Sequence, residues 1–258
     1  CALTPPTMQH NKYKIVPTKK PKKVAIIGAG IGGLEAALVL KQRGHMPVIF
    51  DQNDFVGGIY VTAAEMSFKQ EDKALIKWYK RQIAKYDIEI NFNTDIADAA
   101  SLLRDFDEVI ITIGARPKTL RVPGFEKCID FTDINNKGGE KIVFFGGGQS
   151  SCEAAYEMVL QGKKPVIVEF ANDLINTPGT CLANSSFLRE MLAFKEVPVY
   201  LEHSICEIGD GYVMVKPNNG DEPFKVECDS VVNGLGFVPN MMYSSKKSFH
   251  IHKIGTCV

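Results

Sequence analysis

The chain carries one glycine-rich signature twice, in register. The first copy reads Val24-Ala-Ile-Ile-Gly28-Ala-Gly30-Ile-Gly-Gly33-Leu-Glu35; the second reads Ile142-Val-Phe-Phe-Gly146-Gly-Gly148-Gln-Ser-Ser151-Cys-Glu153, at a constant offset of 118 positions. Each copy is an apolar run, a glycine turn and a helix-forming stretch. An acidic residue stands 21 positions after each second glycine: Asp51 after Gly30 and Glu169 after Gly148. Gly44 and Pro47 recur as Gly162 and Pro165. One G-x-G-x-x-G constrains little, but two copies, each with its acid, predict two βαβ dinucleotide-binding units.

Each residue type has a physical reason to be there. The first glycine makes the tight turn out of the strand. The second lets backbone N–H groups approach a pyrophosphate, and the third lets helix and strand pack closely. The helix start offers unpaired N–H groups and the positive dipole end to phosphate. The acid accepts hydrogen bonds from the adenosine ribose and repels a 2′-phosphate, so Glu169 favours NADH over NADPH. Ser151 occupies the third glycine position of the second copy.

The 258 residues allow one large or two ordinary domains, and the repeat favours two. A net charge of zero argues against a nucleic-acid partner or an acidic membrane surface held by bulk charge. Lys19, Lys20, Lys22 and Lys23 read as a solvated linker, the apolar runs are strand-sized, and no signal peptide is recognisable. The seven cysteines are odd in number and lack a CxxC pair, which suits a reducing, cytoplasmic setting. The chain opens at Cys1 rather than Met, as a piece of a longer polypeptide would.

Periodicity places the remaining elements. Residues 1–20 read as an extended leader. A helix is expected over 72–86, and strands over 88–92 and 107–114. After the second unit come a helix over 183–195 and strands over 197–201, 205–208, 212–215, 224–227 and 230–235. Both halves close on G-x-x-P, at Gly114–Pro117 and Gly236–Pro239. A last strand over 249–254 can return to the first sheet. The expected fold is α/β, with two Rossmann-like domains: residues 21–116 and 237–258 bind FAD, and the inserted 117–236 binds NAD. The cofactors divide on Gly57-Gly58. A glycine pair beyond the acidic strand lets backbone approach a bulky flavin, whereas the second copy has Ile175-Asn176 there.

These segments, with Thr112-Ile-Gly-Ala-Arg-Pro117 and Gly236-Phe-Val-Pro-Asn240, resemble the flavoprotein superfamily with two dinucleotide domains. More narrowly, Leu75-Ile-Lys-Trp-Tyr-Lys-Arg-Gln and the Ile-Glu-Ile-Asn-Phe-Asn that ends before Thr94 resemble the C-terminal region of 2-enoate and 2,4-dienoyl-CoA reductases. The resemblance implies that Gly28, Ala29, Gly30, Gly33, Asp51, Gln52, Gly58, Ile96, Gly114, Gly255 and Thr256 contact FAD. It implies that Gly146, Gly148, Gln149, Ser150, Glu169 and Gly236 contact NADH. Glu153 matches a position beside the nicotinamide, although a first-turn acid favoured by the helix dipole explains it equally. In that family an FMN barrel and a [4Fe-4S] cluster domain precede this region in the same polypeptide, and Cys1 stands where the last cluster ligand falls. The implied role is electron input: NADH reduces FAD, and electrons leave toward the cluster and FMN. Thr256 departs from the family's ribityl-binding Asp, and the chain stops at Val258, before the helix that faces the flavin ring.

Two rival readings follow. A disulfide reductase needs a reactive dithiol, and no CxxC or CxxxxC is present. A non-catalytic scaffold retaining ADP or a dinucleotide fits the Thr256 departure. Cys152, beside the second helix start, is read as packing rather than as an activated thiol. His250 and His252 are read as structural rather than metal-binding.

Overall fold

The computed structural model describes residues 7–245 and 248–257, so the expectation for Cys1 lies outside the described residues. The chain divides into two compact units. Lys69–Ala115, the chain up to Glu65 and the chain from Pro239 form the first; Met66–Phe68 and Arg116–Val238 form the second.

The first unit opens with β1 (Lys23–Ile27), α1 (Ile31–Gln42), β2 (Met46–Phe50), the short α2 (Tyr60–Ala63), α3 (Gln70–Lys85), β3 (Glu89–Asn91) and β4 (Glu108–Ile111). The chain leaves through β5 (Ala115–Pro117). The second unit holds α4 (Ile134–Lys137), β6 (Lys141–Phe145), α5 (Gln149–Leu160), β7 (Lys164–Glu169), α6 (Leu182–Phe194) and β8 (Val199–Leu201). It continues with β9 (His203–Ile208), β10 (Tyr212–Pro217), β11 (Phe224–Glu227), β12 (Ser230–Asn233) and β13 (Phe237–Pro239). Finally β14 (Ile251–Lys253) returns to the first unit.

The first unit is a parallel sheet in the order β14-β4-β1-β2-β3. Strand β1 is apolar on both faces, as a covered parallel strand must be. Ile26 packs with Leu34, Ala37, Ile49 and Tyr79 on one face, while Ala25 and Ile27 pack with Val109 and Ile111 on the other. The second unit has a parallel sheet, β12-β6-β7-β8, beside an antiparallel one, β11-β10-β9. Phe144 packs with Cys152, Ala155 and Ile167 on one face, and Val143 and Phe145 with Val213 and Val215 on the other. The repeat extends to register: Ile26 faces Ile49 as Phe144 faces Ile167, the same offset on both strands. The returning strand pairs with β4 through Ile251 and Val109.

Several boundaries differ from expectation for local reasons. Strand β3 is shorter than 88–92 because Asp87 (φ 49°) and Asn93 (φ 51°) turn the chain into the left-handed region at either end. Strand β12 stops at Asn233, before Gly234. The two G-x-x-P segments that close the halves pair with each other as β5 and β13. No helix among the described residues is long and apolar enough to cross a membrane.

Candidate functional site

In the first unit, Gly28 (φ 109°) turns the chain out of β1 while its N–H donates to Phe50 O at 2.8 Å. A Cβ there would meet Thr112 O at 2.7 Å, and one on Gly33 would meet Gly28 O at 2.0 Å. Both glycines are therefore demanded by close backbone approach. Around Gly30, by contrast, no atom lies within 4 Å of a would-be Cβ. Gly30 caps α1 without a side chain, so no side chain takes the first helix N–H groups that an α-helix leaves unpaired. Asp51 is buried at the end of the next strand. One carboxylate oxygen accepts from Ala29 N at 2.5 Å; the other accepts from the backbone and side-chain N–H groups of Asn53 at 2.8 and 2.9 Å.

The second unit repeats the backbone-donated part of this arrangement. Gly146 (φ 108°) donates to Val168 O at 2.8 Å, and Gly148 caps α5 with open space around it. Glu169 accepts from Gly147 N at 2.5 Å and from Ala171 N at 2.7 Å. Even the next contact recurs: Gly57 N donates to Ala29 O and Ile175 N to Gly147 O, each at 2.8 Å. Each unit thus presents a bare helix start, an open glycine and a carboxylate already fixed against the glycine loop. That combination fits a dinucleotide, with its pyrophosphate at the helix and its adenosine ribose at the acid.

Two differences between the copies are informative. Gly57 (φ 109°) is replaced by Ile175, which nonetheless keeps a left-handed φ of 53°. The loop path is therefore conserved where the glycine is not. In the first copy, moreover, the small residue is Gly33 and its neighbour is Thr112, whose hydroxyl donates toward Ile27 O and Gly28 O at 2.9 Å. In the second, Ser151 carries the hydroxyl and the neighbour is Gly234, where a Cβ would stand 2.2 Å from Ser151 Oγ. The bulk has changed sides. Thr112 and Gly234 escaped sequence reading, although each stands two residues before the glycine of a G-x-x-P closure.

The other expected residues fall as follows. Gly114 (φ 66°) and Thr256 come together: a Cβ on Gly114 would lie 3.8 Å from Thr256 Oγ1, next to Gly255 (φ 78°). Gly58 approaches Gly30, with 3.3 Å from its would-be Cβ to Gly30 Cα. Gln52 and Ser150 are exposed, and Ile96 packs against the Ala25–Ile111 core face. Glu153 is not a first-turn acid, because it sits at the fifth position of α5; it accepts from Gln149 Nε2 at 2.9 Å. Near Gly236 (φ 84°), an open cleft of about 510 Å³ is lined by Arg116, Lys118, Leu120, Leu235 and Val238.

Cysteines and histidines take structural roles. Cys152 is fully buried, and burial, reinforced by the Glu169 charge, pushes its thiol up to about 12 despite the adjacent helix start. Burial likewise raises Cys128 to about 12 and Cys228 to about 11. Thiols so raised are poor nucleophiles. His250 and His252 sit 3.1 and 3.0 Å from the two oxygens of Glu108, which also pairs with Lys22. Burial opposes ionisation of Glu108, but hydrogen bonds from Lys22, His252 and His250 outweigh it and hold the carboxyl down at about 2. Among the described residues, no group of three or more His, Cys, Asp or Glu is placed to hold a metal.

Comparison with known proteins agrees with this geometry. The family model for pyridine nucleotide-disulphide oxidoreductases matches residues 22–256. The chain belongs to this family. The family is one of oxidoreductases that use FAD and NAD(P)H. It is 32% identical over 258 aligned residues to cinnamate reductase of Clostridium sporogenes, covering 97% of this chain and 38% of that protein. It is 28% identical to an NADH oxidase of Thermoanaerobacter brockii, covering 67% of this chain and 28% of that protein. A solved complex of 2-naphthoyl-CoA reductase with 2-naphthoyl-CoA superposes with a TM-score of 0.88 at 26% identity, over the whole chain and 40% of that structure. The chain spans well under half the length of these relatives, and its match to cinnamate reductase agrees with the narrower resemblance to enoate-type reductases.

Proposed function

We propose that this chain is the electron-input part of a larger flavin reductase. The first unit holds FAD through Gly28, Ala29, Gly30, Gly33, Asp51, Gln52, Gly58, Ile96, Gly114, Gly255 and Thr256. The second holds NADH through Gly146, Gly148, Gln149, Ser150, Glu169 and Gly236. The observation that carries this reading is the duplicated bond set: two open glycine turns, each with its acid fixed on the loop N–H. Bound in these two units, NADH would supply a hydride and FAD would serve as its acceptor and as a donor of single electrons to an iron–sulfur cluster and FMN elsewhere in the polypeptide.

The chain's own residues bind and orient. The N–H groups at the starts of α1 and α5 neutralise pyrophosphate charge, and Asp51 and Glu169 fix the ribose hydroxyls. The Gly57-Gly58 turn gives the first unit room for a flavin. Gln149 holds the carboxylate of Glu153, the residue that the resemblance implies lies beside the nicotinamide. The sequence has no CxxC or CxxxxC pair of the kind that a disulfide reductase uses. The substrate of the full polypeptide is then an α,β-unsaturated carboxylate or thioester, in keeping with the cinnamate and 2-naphthoyl-CoA reductases that it resembles.

A second reading rests on Thr256. It stands beside Gly114 in place of the ribityl-binding carboxylate that the resemblance implies, so the first unit could retain only an ADP-like group. Incubation with FAD followed by desalting separates the two. Flavin absorbance should persist in the wild type and fall sharply in Gly33→Ala, whose Cβ would collide with Gly28 O. Retention of ADP without flavin would establish the scaffold reading instead.

A further inference from the structure

Phe170 follows the acid of the second site and is 71% exposed. Exposed aromatic rings are unfavourable and occur elsewhere on this chain, so exposure alone means little. What distinguishes Phe170 is its anchoring. Its carbonyl accepts from Asn218 Nδ2 at 2.9 Å, and Ala171 N is bound to Glu169 Oε1. Ala171 O accepts from Glu202 N at 2.9 Å, and Glu202 O from Asn218 N at 2.8 Å. The two peptides that follow Phe170 are thus tied to Glu169 and to the turns beyond β8 and β10, while its ring is left in solvent. The Cα of Phe170 lies one peptide step, about 3.8 Å, from that of Glu169, whose carboxylate is fixed on the glycine loop.

We infer that Phe170 is the platform on which the adenine ring of NADH stacks. Given NADH in the second unit, on which this inference rests, Glu169 holds the adenosine ribose, and the base extends from that ribose past the next residue. A solvent-facing ring on an anchored backbone has a π-face to offer, with little backbone ordering left to lose on binding. The position equivalent to Phe170 in the first copy is Gln52, a polar side chain, so the platform belongs to the second site alone. Phe170 also denies the second site the cation that would receive a 2′-phosphate, and so adds to the preference that Glu169 sets.

The test uses flavin-loaded chain, so that the first site is filled, and compares wild type with Phe170→Ala, Phe170→Trp and Leu182→Ala. Leu182 is as exposed (76%) and lies thirteen positions beyond the acid along the chain. Calorimetric titration with ADP-ribose should show affinity about 5- to 100-fold weaker in Phe170→Ala, near wild type in Phe170→Trp, and unchanged in Leu182→Ala. Flavin reduction by reduced nicotinamide mononucleotide, which lacks adenine, should be equal in all four. Equal ADP-ribose affinity in wild type and Phe170→Ala, or an equal loss in Leu182→Ala, overturns the platform and leaves the NADH site standing. A wild-type chain that binds no ADP-ribose overturns the platform together with the NADH assignment.

Discussion

At the scale of single residues, the two carboxylates do structural work before any ligand arrives. Glu169 satisfies two backbone N–H groups, those of Gly147 and Ala171, and so holds the glycine loop in place. Glu169→Ala removes both acceptors and the charge that disfavours a 2′-phosphate. We expect the NADH-over-NADPH affinity ratio to fall about tenfold, the worth of one charge-assisted hydrogen bond; an unchanged ratio in competitive titrations would remove Glu169 from specificity. The exchange between Gly33/Thr112 and Ser151/Gly234 makes a second prediction. Gly234→Ala should cost about 1–3 kcal/mol through overpacking, and adding Ser151→Ala should recover part of it. Strict additivity in denaturant titrations would mean that the two residues do not share that space. The sequence showed the glycines and acids plainly, because their spacing is rigid. It hid Thr112, Gly234 and Phe170, because each matters through a neighbour that only the fold supplies.

At the scale of elements, the returning strand β14 is held by more than its ladder with β4. His250 and His252 divide the two oxygens of Glu108, with Lys22 on the same carboxylate. Glu108 is depressed from an ordinary 4.5 to about 2, so its stabilisation is complete above about pH 4.5 and is lost as the pH falls toward 2. With its partners partly exposed, the contribution at neutral pH is about 1–2 kcal/mol. Glu108→Gln should therefore lower Tm by about 2–6 °C at pH 7, with the two curves converging below pH 4.5. A pH-independent gap would assign the loss to packing. Helices α1, α3, α5 and α6 were legible from periodicity and glycine spacing. The ends of β3 were not, because left-handed Asp87 and Asn93 have no sequence signature strong enough to mark them. Nor was the pairing of β5 with β13, which joins segments more than a hundred positions apart.

At the scale of the whole molecule, one βαβ unit used twice explains the parallel sheets, their matching register and the duplicated hydrogen bonds. The copies differ beyond their acids: a glycine pair follows Asp51, whereas Ile175 and an aromatic ring lie around Glu169. In the proposed role, electrons enter through the second unit and reach a flavin held by the first. The most direct test is the anaerobic visible spectrum of the flavin-loaded chain before and after NADH. Bleaching of the flavin bands within a few turnovers' time, with a slower response to NADPH, is the predicted result. A retained flavin whose bands NADH leaves unchanged would contradict it.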